Sequence, residues 1–125
     1  MKTVIKTNQA PQAIGPYSQA IMLNDFLFAS GQIAIDPSTN EMVEGNIEVQ
    51  THRVMKNIQN ILAACDMDFS NVVKTTIFLT DLKNFGLVND IYGKYFTEEP
   101  PARSCVEVSS LPKGALIEIE VIAHR

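Results

Sequence analysis

Apolar and polar positions change their period several times along the chain, and each change marks an element. The first third carries short apolar runs, Thr3 to Lys6, Ala20 to Leu23, Phe26 to Ser30 and Ile33 to Ile35. Runs of this length between turn residues predict strands, with Asn24-Asp25 as a hairpin turn, and together they predict a meander. From Ile47 to Cys65 the period lengthens. Ile47, Val54, Ile58, Ile61, Leu62 and Cys65 fall mostly three, four or seven apart, which puts them on one face of an α-helix. Asn46 stands where its N-cap belongs. Val72 to Leu79 is rich in β-branched residues and reads as a strand. A second amphipathic helix carries Phe85, Val88, Tyr92, Tyr95 and Phe96 on its inner stripe before Pro100-Pro101 stops it. Arg103 to Val108 and Leu116 to Ala123 read as the closing strands.

This order predicts an α+β domain in which two helices cover one face of a mostly antiparallel sheet. Phe26-Leu27-Phe28-Ala29 and Val72 to Leu79 carry apolar residues at both strand parities, yet two helices cover only one side of a sheet. The uncovered side is therefore expected to meet another subunit. No repeat, low-complexity tract or linker divides the chain, and its loosest stretch, Asp36-Pro37-Ser38-Thr39-Asn40, is short enough to be a turn. Residues 1–125 read as a single domain.

Composition narrows the function classes. With 125 residues, 46% hydrophobic and 19% charged, the chain can bury one core and falls outside the disordered, collagenous and disulfide-dense classes. The net charge of -4 arises from 14 acidic and 10 basic residues scattered without a run, which offers no footprint to a phosphate backbone. Nucleic acid is not expected as a partner. No stretch approaches the roughly 20 apolar residues of a membrane span, and the first residues lack the apolar centre of a signal peptide. A cytosolic protein without membrane contact is expected. Cys65 and Cys105 fall in a helix and a strand with no disulfide or zinc spacing, so both are expected as reduced thiols. His52 and His124 are too far apart to suggest a metal site, and the glycines form neither a phosphate loop nor a dinucleotide fingerprint.

Strand alternation points Arg103, Cys105 and Glu107 one way, and it pairs Glu118 with Glu120. A sheet face bearing an arginine, a thiol and carboxylates beside a subunit contact suits a small polar ligand. The same residues also suit a solvated edge strand. Arg103 starts its strand directly after Pro100-Pro101-Ala102, and a guanidinium restricted in this way suits a planar carboxylate held by two parallel hydrogen bonds. Glu118 is a candidate general base, since a partly desolvated carboxylate can hold a proton transiently near neutral pH. Cys105 has no histidine to activate it and reads as a lining residue rather than a nucleophile. Tyr17 and Ser30 supply hydroxyls beside the turns Gly15-Pro16-Tyr17 and Ser30-Gly31-Gln32.

Taken together, these stretches resemble the RidA (YjgF) family of reactive intermediate deaminases. The resemblance runs over nearly the whole chain, through Ala13-Ile14-Gly15-Pro16-Tyr17-Ser18-Gln19, Ser30-Gly31-Gln32, Val73-Lys74-Thr75-Thr76, Pro101-Ala102-Arg103-Ser104-Cys105-Val106-Glu107-Val108, and Leu111-Pro112 leading into Ile117-Glu118-Ile119-Glu120. It implies a chorismate-mutase-like α+β fold assembled as a homotrimer, with clefts at the subunit interfaces. It also implies cofactor-independent hydrolysis of 2-imino acids and their enamine tautomers, such as 2-iminobutanoate and 2-iminopropanoate, to 2-oxo acids and ammonia. Such species leave pyridoxal-phosphate dehydratases. By resemblance, Arg103 grips the substrate carboxylate, Glu118 positions or activates water, and Tyr17, Ser30, Gly31, Asn89 and Cys105 line the pocket. The chain departs from the family where Asp66 replaces the usual glycine after the first helix, which predicts a different helix end.

Other readings stay beside the deaminase. The same trimeric cleft can serve a regulator that senses small carboxylates without catalysis, for which Arg103 matters and Glu118 does not. An endoribonuclease activity, ascribed to some members of the family, conflicts with the acidic balance of this chain.

Overall fold

A computed structural model describes residues 1–125. Strands β1 (Lys2–Ile5), β2 (Ala20–Leu23) and β3 (Phe26–Ala29) form an antiparallel meander. Asn24, at φ 54, takes the left-handed conformation that a tight hairpin turn demands. The run Ile33 to Ile35 does not extend the meander as expected. Gln32 and Ile119 exchange backbone hydrogen bonds at 2.8 and 3.1 Å, and the chain then leaves the sheet. Strand β4 (Ile35–Asp36) pairs instead with β5 (Glu41–Met42) in a separate two-stranded ribbon. The physical reason is Asn57, whose buried Nδ2 donates to Ile33 O and Ile35 O at 3.2 and 2.9 Å and so takes carbonyls that a sheet neighbour would need.

Helix α1 (Ile47–Ala63) starts as its sequence predicts. The Asn46 side-chain oxygen accepts from the Val49 N–H at 3.1 Å, a cap whose loss typically costs about 1 kcal/mol. The helix ends short of Cys65. Asp66 takes φ 57 and the Met67 N–H donates to Leu62 O at 3.0 Å, the left-handed closure that glycine usually makes. The expectation of an altered helix end is therefore not met: aspartate adopts the glycine conformation.

Strand β6 (Val72–Leu79) follows, then α2 (Phe85–Gly93), β7 (Ala102–Glu107) and β8 (Ile117–His124). The main sheet has the order β1-β2-β3-β8-β6-β7, with β6 and β7 as its parallel pair. Tyr95 and Phe96, expected on α2, lie beyond its end. Tight turns there, with Lys94 N–H on Ile91 O at 3.0 Å and Tyr95 N–H on Tyr92 O at 3.1 Å, fold both rings back against Phe69.

The helices cover one face of the sheet. In β8, Ile117, Ile119, Val121 and Ala123 are buried under them, together with Leu27, Ile77 and Leu79 of the neighbouring strands and Val54, Ile58, Ile61 and Leu62 of α1. Truncating one of these large side chains to alanine typically costs 2–5 kcal/mol, roughly, once the cavity it leaves is included. The other face is bare. Phe26 and Phe28 are 43% and 42% exposed, and Phe28 sits between Ile21 and Ile122 in the strand register. No helix is long and apolar enough to cross a membrane.

Candidate functional site

The residues singled out in the sequence separate into two groups, and the strand register decides which goes where. Arg103 stands opposite Thr75 and Cys105 opposite Ile77 in the β6–β7 ladder. Thr75 and Ile77 are buried on the helix side, so Arg103 and Cys105 turn to that side as well. Glu118 stands opposite Phe78, between the buried Ile117 and Ile119, and therefore turns to the bare face. The sheet face expected to unite arginine, thiol and carboxylates does not exist within one chain. Arg103 and Glu118 occupy opposite faces.

The arginine group is built by β7 and α2. Asn89 Oδ1 accepts from Arg103 Nη1 at 2.6 Å, and these two residues line a cleft of about 470 Å³ with Tyr92, Phe96 and Pro101. Burial pushes the Cys105 thiol up from its ordinary pKa, and the Arg103 charge pulls it back only in part. A thiol kept protonated in this way is a poor nucleophile. Glu107, which shares this parity, accepts from the Leu82 N–H at 2.9 Å and serves the loop before α2 rather than a ligand.

The glutamate group is built by β8 and by the loops around β2 and β3. Tyr17, Gly31 and Glu118 line a cleft of about 450 Å³ together with Ile14, Ile33 and Lys113. Burial, and then the charge of Glu120, raise the Glu118 carboxyl above the ordinary glutamate range. Such a group holds a proton more readily at neutral pH, as a general base requires. Ser30 adjoins Gly31, but its hydroxyl is occupied as a donor to Ser18 O at 2.6 Å. Tyr17 is 54% exposed, and its hydroxyl accepts from the Ile14 N–H at 3.3 Å.

Sequence reasoning missed residues that support both groups. Gln19 pins the loop that carries Tyr17: its Oε1 accepts from Thr7 N–H at 2.7 Å, and its Nε2 donates to Pro11 O at 2.7 Å. Phe85 and Tyr92 flank the Arg103 guanidinium. Their spacing with Asn89, steps of four and three on α2, is the signal that could have found them. No group of three or more His, Cys, Asp and Glu side chains is placed to hold a metal ion.

Fold and site define a small α+β protein with one cleft on each side of its sheet and an uncovered sheet face that carries Phe26 and Phe28. Comparison with known proteins narrows this class. The profile of the family described as Endoribonuclease L-PSP matches residues 7–125. A Yersinia pestis protein of the conserved Rid family, YyfA, described as of unknown function, superposes with a TM-score of 0.98 at 56% identity, over 100% of both chains. The structure of E. coli TdcF with bound serine superposes with a TM-score of 0.94 at 38% identity, over 98% of both. A Rattus norvegicus protein named 2-iminobutanoate/2-iminopropanoate deaminase is 47% identical, over 98% of this chain and 90% of the relative. The chain belongs to the Rid (YjgF, endoribonuclease L-PSP) family.

Proposed function

We propose that this protein is a 2-imino acid deaminase that works as a homotrimer, each active cleft combining Arg103, Asn89 and Cys105 of one subunit with Tyr17, Ser30, Gly31 and Glu118 of the next. The observation that carries this reading is the placement of Arg103 and Glu118 on opposite faces of one sheet. Two groups that must act on one small molecule, yet diverge within a chain, can converge only between chains. The uncovered Phe26 and Phe28 supply apolar surface for such an assembly. The deaminase name of the rat relative supports the chemistry.

In this reading Arg103 holds the substrate carboxylate with the guanidinium edge that Asn89 leaves free. The protonated imine carbon is already electrophilic, so hydrolysis needs a placed water, a proton acceptor and little else. Water attacks C2 as Glu118 takes its proton. Glu118 then returns that proton to the amine nitrogen, the C–N bond breaks as the hydroxyl oxygen forms the carbonyl, and the hydroxyl proton passes through Glu118 to the departing ammonia, giving a 2-oxo acid and ammonium. Protons balance without a cofactor or a metal, and Cys105 packs without bonding to substrate.

The bound serine in the TdcF structure also suits a second reading, a sensor of small amino or oxo acids without turnover. A ribonuclease role is disfavoured by the net charge of -4 and the lack of a basic stripe. The test is to generate 2-iminobutanoate in situ with a threonine dehydratase and follow 2-oxobutanoate formation. Acceleration by the protein is expected. Binding of 2-oxobutanoate without acceleration would leave the sensor. Light scattering is expected to report about three chains per particle, and a stable monomer would remove the composite cleft.

A further inference from the structure

The Arg103 guanidinium is held more tightly than a ligand contact alone requires. Its Cζ lies 5.3 Å from the centroid of the Phe85 ring and 5.1 Å from that of Tyr92. Both distances fall inside the range, about 6 Å, over which a ring quadrupole attracts a cation. Phe85, Asn89 and Tyr92 recur along one stripe of α2, so a single helix face supplies both rings and the Asn89 hydrogen bond. The Tyr92 ring is not free to drift. The Tyr92 hydroxyl bonds the Thr75 hydroxyl at 2.7 Å, Thr75 is the β6 neighbour of Arg103 in the sheet, and Phe96 packs on the Tyr92 ring with centroids 4.7 Å apart.

We infer that Phe85 and Tyr92 are positioning residues that pre-order the Arg103 guanidinium for the carboxylate of the ligand. This rests on the reading that Arg103 is the carboxylate anchor, and it assigns the rings a part in affinity beyond packing. An unrestrained arginine loses rotamer freedom each time it grips a ligand, and one already fixed by two rings and an amide loses little. Asn89 adds a third restraint by accepting from Arg103 Nη1 at 2.6 Å. Because an anchor grips the carboxylate before, during and after reaction, loosening it weakens ground state and transition state alike, which raises KM and spares kcat.

The test measures 2-oxobutanoate binding by calorimetry, and kcat and KM with 2-iminobutanoate, for Phe85→Leu, Tyr92→Leu and Tyr92→Phe, with thermal midpoints as a folding control. Phe85→Leu and Tyr92→Leu should each weaken binding and raise KM by about three- to tenfold with kcat nearly unchanged, the scale of one cation–ring contact in a partly dry site. Tyr92→Phe keeps the ring and its Phe96 contact but loses the Thr75 tether, so its rise in KM should be smaller than that of Tyr92→Leu. In an Arg103→Ala background, where kcat/KM remains measurable when binding is weak, Phe85→Leu should have no further effect. An equal loss from Phe85→Leu with and without Arg103, or no loss with Arg103 present, would overturn the inference. If the wild type binds 2-oxobutanoate with this pattern but does not hydrolyse the imine, the deaminase reading fails and the positioning role stands. If it hydrolyses the imine and the pattern is absent, the positioning role fails alone.

Discussion

The carboxyl of Glu118 rests on the bare Cα of Gly31: a Cβ built there would lie 2.7 Å from Glu118 Cδ and would overlap Oε2 as well. Gly31 has an ordinary backbone conformation, so it is the space over its Cα, and not a left-handed φ, that calls for glycine. The absent side chain sets where the proposed base stands.

Gly31→Ala should therefore fold normally, because the atoms that must yield are the mobile end of a glutamate side chain. Its deaminase rate should fall by about 10- to 100-fold, the usual scale for a displaced proton-transfer group. Steady-state kinetics beside a melting curve check this. A wild-type rate with an unchanged melting point would show that the Glu118 position is not critical.

The pH dependence follows from the environment of Glu118. Burial and the Glu120 charge raise its carboxyl, and only the ionised form accepts a proton from water. Activity should then be lost as pH falls through a value above the ordinary glutamate range. The kcat profile is the one to read, because it reports the substrate complex, where the substrate carboxylate offsets Arg103. In Glu118→Gln that acid limb should vanish and turnover should drop by about 10² or more, while 2-oxobutanoate still binds.

Cys105 lies on the same face of β7 as Arg103, the proposed anchor, with its thiol pushed toward the protonated form by burial, and His52 is hydrogen-bonded elsewhere, to the Tyr95 hydroxyl at 2.9 Å. Cys105→Ser should keep most of the activity. Mass spectrometry after mixing with substrate should find no adduct at this position, and an adduct together with lost activity would contradict the mechanism.

Arg103→Lys keeps the charge but loses the fork. Loss of a charge-assisted pair is worth about 1.5–3 kcal/mol, so kcat/KM for 2-iminobutanoate should fall by roughly 10- to 150-fold. Full activity in an intact assembly would mean that the carboxylate is held elsewhere.

Much of this arrangement is legible in the sequence because it is local. The stripe Val54, Ile58, Ile61, Leu62 marks the inner side of α1, and the alternation in β8 separates Ile117 and Ile119 from Glu118 and Glu120. The apolar residues at both parities of β3 foretell the bare face on which Phe26 and Phe28 lie. What the sequence hides is register between distant strands. Parity within β7 and β8 is readable, but whether Arg103 and Glu118 share a face depends on which β6 residue each one meets, Thr75 or Phe78, and a shift of one residue reverses the answer. The ribbon of β4 and β5 is hidden for a similar reason, since Asn57 competes for its carbonyls from another part of the chain. Asp66 shows a different case: aspartate visits the left-handed region less readily than glycine, yet it takes φ 57 here and the Met67 N–H closes the helix on Leu62 O.

The central claim, that each active cleft takes its arginine from one subunit and its glutamate from another, is tested most directly by mixing two inactive variants. Arg103→Ala and Glu118→Gln chains, co-expressed in equal amounts, assemble into trimers in which some clefts meet an intact Arg103 and an intact Glu118 on different chains. With random assembly each half is intact half of the time, so about a quarter of wild-type activity should return. Activity no greater than the average of the two variants alone would place both residues in a cleft within one chain and contradict the account.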